Sequence, residues 1–101
     1  MHKEKLFRYG TLRDGDIGRA LFGGKPLASP DILRGYEKTT TLLGAVSYPN
    51  IVPSDNGCVD GDVVEVDKDT LMRIDAYESE AYTRKKTRLE SGTQAWVYIR
   101  E

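Results

Sequence analysis

Two short segments of the sequence carry residue types that could bind and transform a small molecule. The first is Tyr9-Gly10-Thr11-Leu12, which directly follows a stretch of apolar and charged residues typical of a strand. Gly10 allows a sharp turn close to a ligand, and consecutive backbone N–H groups leading into a helix start form a natural anion site. Such a string is by itself a common turn, so its chemistry depends on what lies opposite it.

The second segment, residues 71–84, has Glu78 at the end of an apolar helical pattern. Leu71, Ile74 and Glu78 are spaced i, i+3 and i+7, so they lie on one face of the helix. A carboxylate among apolar side chains has a raised pKa and can act as a general acid and base near neutral pH. The alternative is that Glu78 lies past the helix end and is solvated, as most glutamates are.

The first half of the chain predicts strands with one brief helix. We expect a strand over residues 3–9, a helix over residues 14–21, and one bent or two short strands over residues 32–43. Gly35 marks the break in the last of these. Residues 47–57, which contain two prolines and an Asn-Gly pair, predict a loop.

The second half predicts a strand, a helix and a hairpin. Valines over residues 58–66 favour a strand, and Asp67 can cap a helix over residues 68–77. Residues 82–90 and 93–100 form a predicted hairpin. In its second arm, alternation places Trp96 and Tyr98 on one face and Ala95, Val97 and Ile99 on the other. The mixture indicates an α+β fold whose sheet carries most of the core.

Composition limits the classes of function. The 101 residues fit one domain spanning residues 1–101. The chain has 15 basic and 16 acidic residues, and its net charge of -1 argues against a nucleic-acid partner. Cys58 is the sole cysteine, which we interpret as a small core residue in a reducing compartment. No signal-peptide pattern and no apolar stretch near the roughly 20 residues of a membrane span occur, so we expect a cytoplasmic location and no membrane partner.

Together the two segments resemble the γ-glutamylcyclotransferase-like (AIG2-like) superfamily, most closely its γ-glutamylamine cyclotransferase branch. Residues 74–79, followed by Tyr82 and Arg84, are similar to the family's Leu-Asp-x-aromatic-Glu segment with its downstream Tyr-x-Arg. The match extends from about residue 7 to residue 98, and residues 15–33 fit it least well. Many members carry glycine after the glutamate, where this chain has Ser79.

The resemblance implies a small mixed β-barrel of about six or seven strands, flanked by two or so helices. It implies that Glu78 is the catalytic acid and base, with Glu80 as the competing assignment. It also implies that Tyr9, Gly10, Thr11 and Leu12 hold the α-carboxylate of a γ-glutamyl group through their backbone. Tyr82 is interpreted as a pocket wall or hydrogen-bond partner.

The reaction implied by the resemblance is cyclisation of a γ-glutamylamine or related γ-glutamyl compound to 5-oxoproline with release of a free amine. The chain has one histidine and one cysteine, so we expect a metal-independent enzyme without a cofactor. The expected partner is therefore a small-molecule γ-glutamyl substrate. A noncatalytic module that binds an amino-acid derivative and a γ-glutamyl hydrolase or transferase are the alternatives, and the amine half and the oligomeric state stay open.

Overall fold

The computed structural model describes residues 3–13, 20–23, 26–78 and 81–100. Within these ranges, five strands and an α-helix follow one another as β1 (Lys3–Arg8), β2 (Ala28–Leu43), β3 (Val46–Asp67), α1 (Lys68–Glu78), β4 (Thr83–Arg88) and β5 (Gln94–Ile99). A 3₁₀ turn, Thr11–Arg13, follows β1, and residues 20–22 are helical. The helix predicted over residues 14–21 falls mostly outside the described residues. No helix in the described ranges is long and apolar enough to cross a bilayer.

The strands form one curled, mixed sheet in the order β2-β3-β1-β5-β4. β1 and β5 run parallel, and the other neighbouring pairs are antiparallel. The α+β prediction is therefore confirmed, whereas the number of strands in the described ranges is five rather than six or seven. The sheet is a half-barrel, and two of its strands are very long, with 16 residues in β2 and 22 in β3.

The loop predicted over residues 47–57 is wrong, because this stretch is part of the 22-residue strand β3. Its prolines are paired in the ladder with β2, Pro49 opposite Thr40 and Pro53 opposite Tyr36. β1 pairs only with the last part of β3, residues 62–67. Proline has no backbone N–H to donate to a neighbouring strand. It is therefore tolerated where that side of the strand has no second strand to pair with, as at an edge.

The bend predicted at Gly35 is confirmed. The register of β2 against β3 shifts between Arg34 and Tyr36, and Gly35 has a φ of 88°. Residues with a side chain rarely adopt this left-handed conformation, so a glycine stands where the long strand must change direction. The bend lets one strand follow the curl of the sheet along its 16 residues.

Apolar side chains form two clusters, one on each face of the sheet. One cluster contains Leu33 of β2 and Leu89 after β4, which belong to opposite ends of the strand order, so the sheet curls around it. The other lies beneath α1 and contains Leu71 and Ile74. The alternation predicted for β5 is confirmed: the first cluster includes Ala95, Val97 and Ile99, and the second includes Tyr98 with Trp96 packed against it.

The turn between β4 and β5 completes the curl by meeting β2. The Glu90 N–H donates to the Ile32 carbonyl oxygen at 2.8 Å, and the Ser91 hydroxyl donates to Asp31 Oδ2 at 2.6 Å. These bonds tie the two ends of the sheet together without a continuous ladder. Cys58 lies on the exposed face of β3, so its prediction as a core residue is wrong. Its neighbour Val59 occupies the core instead, since adjacent residues of a strand face opposite ways.

Candidate active site

Glu78 is the last residue of α1, and the packing of that helix buries it. The predicted cap is confirmed, since Asp67 Oδ1 accepts a hydrogen bond from the Thr70 N–H at 2.7 Å. Leu71 and Ile74 anchor the buried face at 2% and 0% exposure, and Glu78 continues it at 8%. The alternative of a solvated Glu78 is therefore wrong.

Opposite the helix end, the chain leaves β1 through a tight turn at residues 9–12, called here the 9–12 turn. The Arg13 N–H donates to the Gly10 carbonyl oxygen at 2.9 Å, which closes the 3₁₀ turn. The leading N–H groups of a helical turn have no acceptor within it and are free to meet a ligand. A Cβ atom on Gly10 would lie 3.0 Å from Pro49 Cβ, a tight contact, so glycine eases the close approach of the turn to β3.

The helix end and the turn share one pocket, with about 310 Å³ of atom-free space that includes its open side. The pocket is lined by five of the predicted site residues: Tyr9, Gly10, Leu12, Glu78 and Tyr82. Thr11, the sixth, belongs to the same turn. The pocket also has four lining residues that the sequence analysis did not assign: Phe7, Arg8, Pro49 and Tyr98. Glu80, the competing carboxylate, lies outside the described residues.

Three tyrosines fix the walls of the pocket through hydrogen bonds that their hydroxyls donate. Tyr9 donates to the Tyr98 carbonyl oxygen at 2.6 Å, and Tyr82 donates to the Pro49 carbonyl oxygen at 2.5 Å. The Tyr98 hydroxyl donates to Asp75 Oδ1, also at 2.5 Å. Each hydroxyl is thus engaged in a hydrogen bond within the protein, so the walls are held in place.

The carboxylate of Glu78 is the candidate acid and base of the pocket. Burial away from water raises its pKa from 4.5 to about 7. Among the described residues, no cation forms an ion pair with this carboxylate and no hydroxyl donates a hydrogen bond to it. Burial also raises the pKa of Tyr9, Tyr82 and Tyr98, and the nearby charge of Glu78 raises each further. The site therefore holds one carboxylate able to exchange a proton near neutral pH among hydroxyls that stay protonated.

The burial of Glu78 has a consequence for stability. Folded Glu78 holds its proton more tightly than the unfolded chain, so its contribution to the free energy of unfolding is greatest below pH 4.5 and is lost as the pH rises to about 7. We expect the stability of Glu78→Gln relative to the wild type to increase across this window and then level off. Urea denaturation at several pH values measures the difference. A difference that stays the same at every pH would contradict the buried carboxylate.

Comparison with known proteins agrees with this arrangement. The sequence model of the family described as gamma-glutamyl cyclotransferase, AIG2-like, matches residues 6–101. The chain belongs to this family. It is 33% identical to AIG2-like protein C of Arabidopsis thaliana over 81 residues, which are 79% of this chain and 46% of that protein. The chain spans about half the length of the curated relatives it matches.

Two solved structures share the fold of this chain. The chain is similar to a solution structure from Arabidopsis thaliana, with a TM-score of 0.83 and 28% identity, covering 99% of this chain and 70% of the other. It is also similar to the crystal structure of a mouse AIG2-like protein, with a TM-score of 0.74 and 24% identity, covering 98% of this chain and 78% of the other. The family resemblance inferred from the two motifs is confirmed, whereas a single domain over residues 1–101 stays a prediction.

Proposed function

We propose that the protein is a cyclotransferase that converts a γ-glutamylamine, or a related γ-glutamyl compound, to 5-oxoproline and a free amine. The observation that carries this proposal is the buried carboxylate of Glu78, which faces the same small pocket as the turn at Gly10. Membership of the gamma-glutamyl cyclotransferase, AIG2-like family supports the reaction class. The residue roles and the γ-glutamylamine branch are part of the proposal.

In this proposal the 9–12 turn binds the α-carboxylate of the γ-glutamyl group through backbone N–H groups. Tyr82 forms part of the wall, where its hydroxyl bond to Pro49 holds β3 beside the turn. Binding the carboxylate at one end of a small pocket folds the γ-glutamyl chain so that its α-amine can reach its own γ-carbonyl carbon. The protein then supplies geometry rather than a nucleophile.

The α-amine forms a bond to the γ-carbonyl carbon, and the bond from that carbon to the leaving nitrogen breaks. Glu78 takes a proton from the α-ammonium and delivers it to the leaving nitrogen. The α-nitrogen gives up two protons in all and the departing amine gains two, so Glu78 ends ionised as it began. Well-oriented intramolecular reactions reach effective molarities of about 10⁵ M or more, which makes positioning the main source of rate.

The test is mass spectrometry of products from a panel of γ-glutamyl compounds, including γ-glutamyl-ε-lysine, γ-glutamyl alkylamines and γ-glutamyl amino acids. We expect 5-oxoproline and the free amine in equal amounts from at least one of them. Release of glutamate would favour hydrolysis or transfer instead. Saturable binding without any product would favour a noncatalytic binding module.

A further inference from the structure

A buried ion pair lies directly beneath the 9–12 turn. Arg8, the last residue of β1, is paired in register with Asp62 of β3. Both residues are buried, with 7% of the surface of Arg8 and 8% of that of Asp62 exposed. Arg8 Nε donates to Asp62 Oδ1 at 2.7 Å and Arg8 Nη2 donates to Asp62 Oδ2 at 3.0 Å. This two-bond geometry orients the planar guanidinium group in a way that a lysine could not reproduce.

The same guanidinium group also holds the turn. Its Nη1 donates to the carbonyl oxygen of Leu12 at 3.2 Å, so Arg8 spans the turn from its first flank to its last residue. On the far side, Arg13 Nε lies 3.5 Å from Asp62 Oδ2. The Asp62 carboxylate thus contacts both arginines that flank the turn. Among the described residues of this cluster, two positive side chains thus contact one negative side chain.

We propose that Arg8 and Asp62 are positioning residues that fix the shape of the 9–12 turn, so that the pocket selects ligands with a carboxylate. The inference rests on the proposed function for the assignment of the turn to the substrate's α-carboxylate. It goes further by placing selectivity for that group in a side-chain pair outside the turn itself.

A purely structural role explains the pair less well. Desolvation of two charges often costs as much as their attraction returns, so a buried ion pair by itself is weak evidence for stability. Here a third bond goes to the backbone of the turn instead of to a neighbouring strand, and Arg8 itself lines the pocket. Displacement of a binding group by about 1 Å can cost 10²-fold in rate, so small changes in this pair have measurable effects on the reaction.

The experiment compares two substrates that differ only in the α-carboxylate: γ-glutamyl anilide and 4-aminobutyryl anilide, which cyclises to 2-pyrrolidinone. The variants are Arg8→Lys and Asp62→Asn. We expect kcat/KM for γ-glutamyl anilide to fall by roughly 10-fold to 100-fold, mainly through KM, with a much smaller change for 4-aminobutyryl anilide. The ratio between the two substrates therefore shrinks. Equal losses on both substrates would overturn the proposal.

A binding measurement separates this inference from the proposed reaction. NMR titration of the wild type with 5-oxoproline and with 2-pyrrolidinone requires no turnover, and we expect tighter binding of 5-oxoproline, with the preference lost in Arg8→Lys. Suppose that the wild type produces no 5-oxoproline from any substrate and yet prefers to bind 5-oxoproline, with the preference lost in Arg8→Lys. In that case the proposed reaction is wrong and the positioning role stands. A wild type that binds both ligands equally overturns the positioning role.

Two further variants guard against misfolding as an explanation. Asp62→Glu keeps the charge, so we expect it to recover part of the selectivity lost in Asp62→Asn, whereas equal selectivity in both variants would count against the proposal. Arg34→Lys alters an ion pair with Glu90 on the exposed surface, between β2 and the β4–β5 turn. It is the matched control, and we expect it to leave the substrate ratio unchanged.

Discussion

Replacing Glu78 with glutamine is expected to lower kcat by about 10² to 10⁴, the usual contribution of general acid and base catalysis. Glutamine has nearly the same shape as glutamate but cannot take the proton from the substrate's α-ammonium. Burial already favours the neutral form of Glu78, so the neutral amide should be accommodated and the fold kept. The measurement is the initial rate of 5-oxoproline formation, with circular dichroism to verify folding.

The pH profile makes this test more specific. With Glu78 as the base, kcat/KM of the wild type should rise as the pH increases through about 7, the pKa that burial gives this carboxyl. The remaining activity of Glu78→Gln should lack that step. Full turnover in a folded Glu78→Gln protein would refute the assignment.

Two other glutamates provide the controls. Glu37→Gln changes an exposed residue of β2 and should leave both rate and pH profile as in the wild type. Glu80→Gln tests the competing assignment, because Glu80 lies closer in sequence to the Tyr-x-Arg pair. A loss of rate in Glu80→Gln with normal turnover in Glu78→Gln would transfer the catalytic role to Glu80.

The elements that local patterns control could be predicted from the sequence. The spacing of Leu71, Ile74 and Glu78 identified the buried face of α1, and the alternation in β5 separated its two faces correctly. Both depend on the geometry of a single element. The loop prediction for residues 47–57 failed because proline is compatible with a strand when the neighbouring ladder leaves that side free, which is a property of the whole sheet.

The pocket shows the same division. The residues assigned to the pocket came from two motifs, and the resemblance to the family indicated that these motifs belong to one site. The structure brings Glu78 and the 9–12 turn into one pocket. Arg8 was not predicted as part of it, since its partner Asp62 is 54 positions away. The available signal was a charged residue directly after the apolar pair Leu6-Phe7. Its meaning depends on a strand register that no local pattern specifies.

Gly61 is expected to be highly sensitive to substitution, because an added side chain would have no space. A Cβ atom at this position would lie 2.3 Å from the Arg8 carbonyl oxygen and 2.5 Å from Phe7 Cζ. Neither neighbour can yield easily, since one is backbone in the centre of the sheet and the other is a core ring at 1% exposure. We expect Gly61→Ala to lower the free energy of unfolding by about 3 kcal/mol, the upper part of the range for overpacked cores. Urea denaturation measures it.

Gly44→Ala is the control that separates lack of space from backbone conformation. Gly44 has a φ of 66° and no atom within 4 Å of an added Cβ, so alanine there incurs only the strain of the left-handed conformation, about 1–2 kcal/mol. Equal losses of stability in the two variants would contradict the steric explanation.

The substitution at Gly61 should also affect the site, because the Arg8 carbonyl that it displaces belongs to the residue that spans the 9–12 turn. We therefore expect the folded fraction of Gly61→Ala to show weaker discrimination between γ-glutamyl anilide and 4-aminobutyryl anilide, as Arg8→Lys does. Gly44→Ala changes the far end of the β2–β3 hairpin and should keep that discrimination. A glycine in β3 would then control the selectivity of the pocket through the backbone of β1, which it contacts only because it has no side chain.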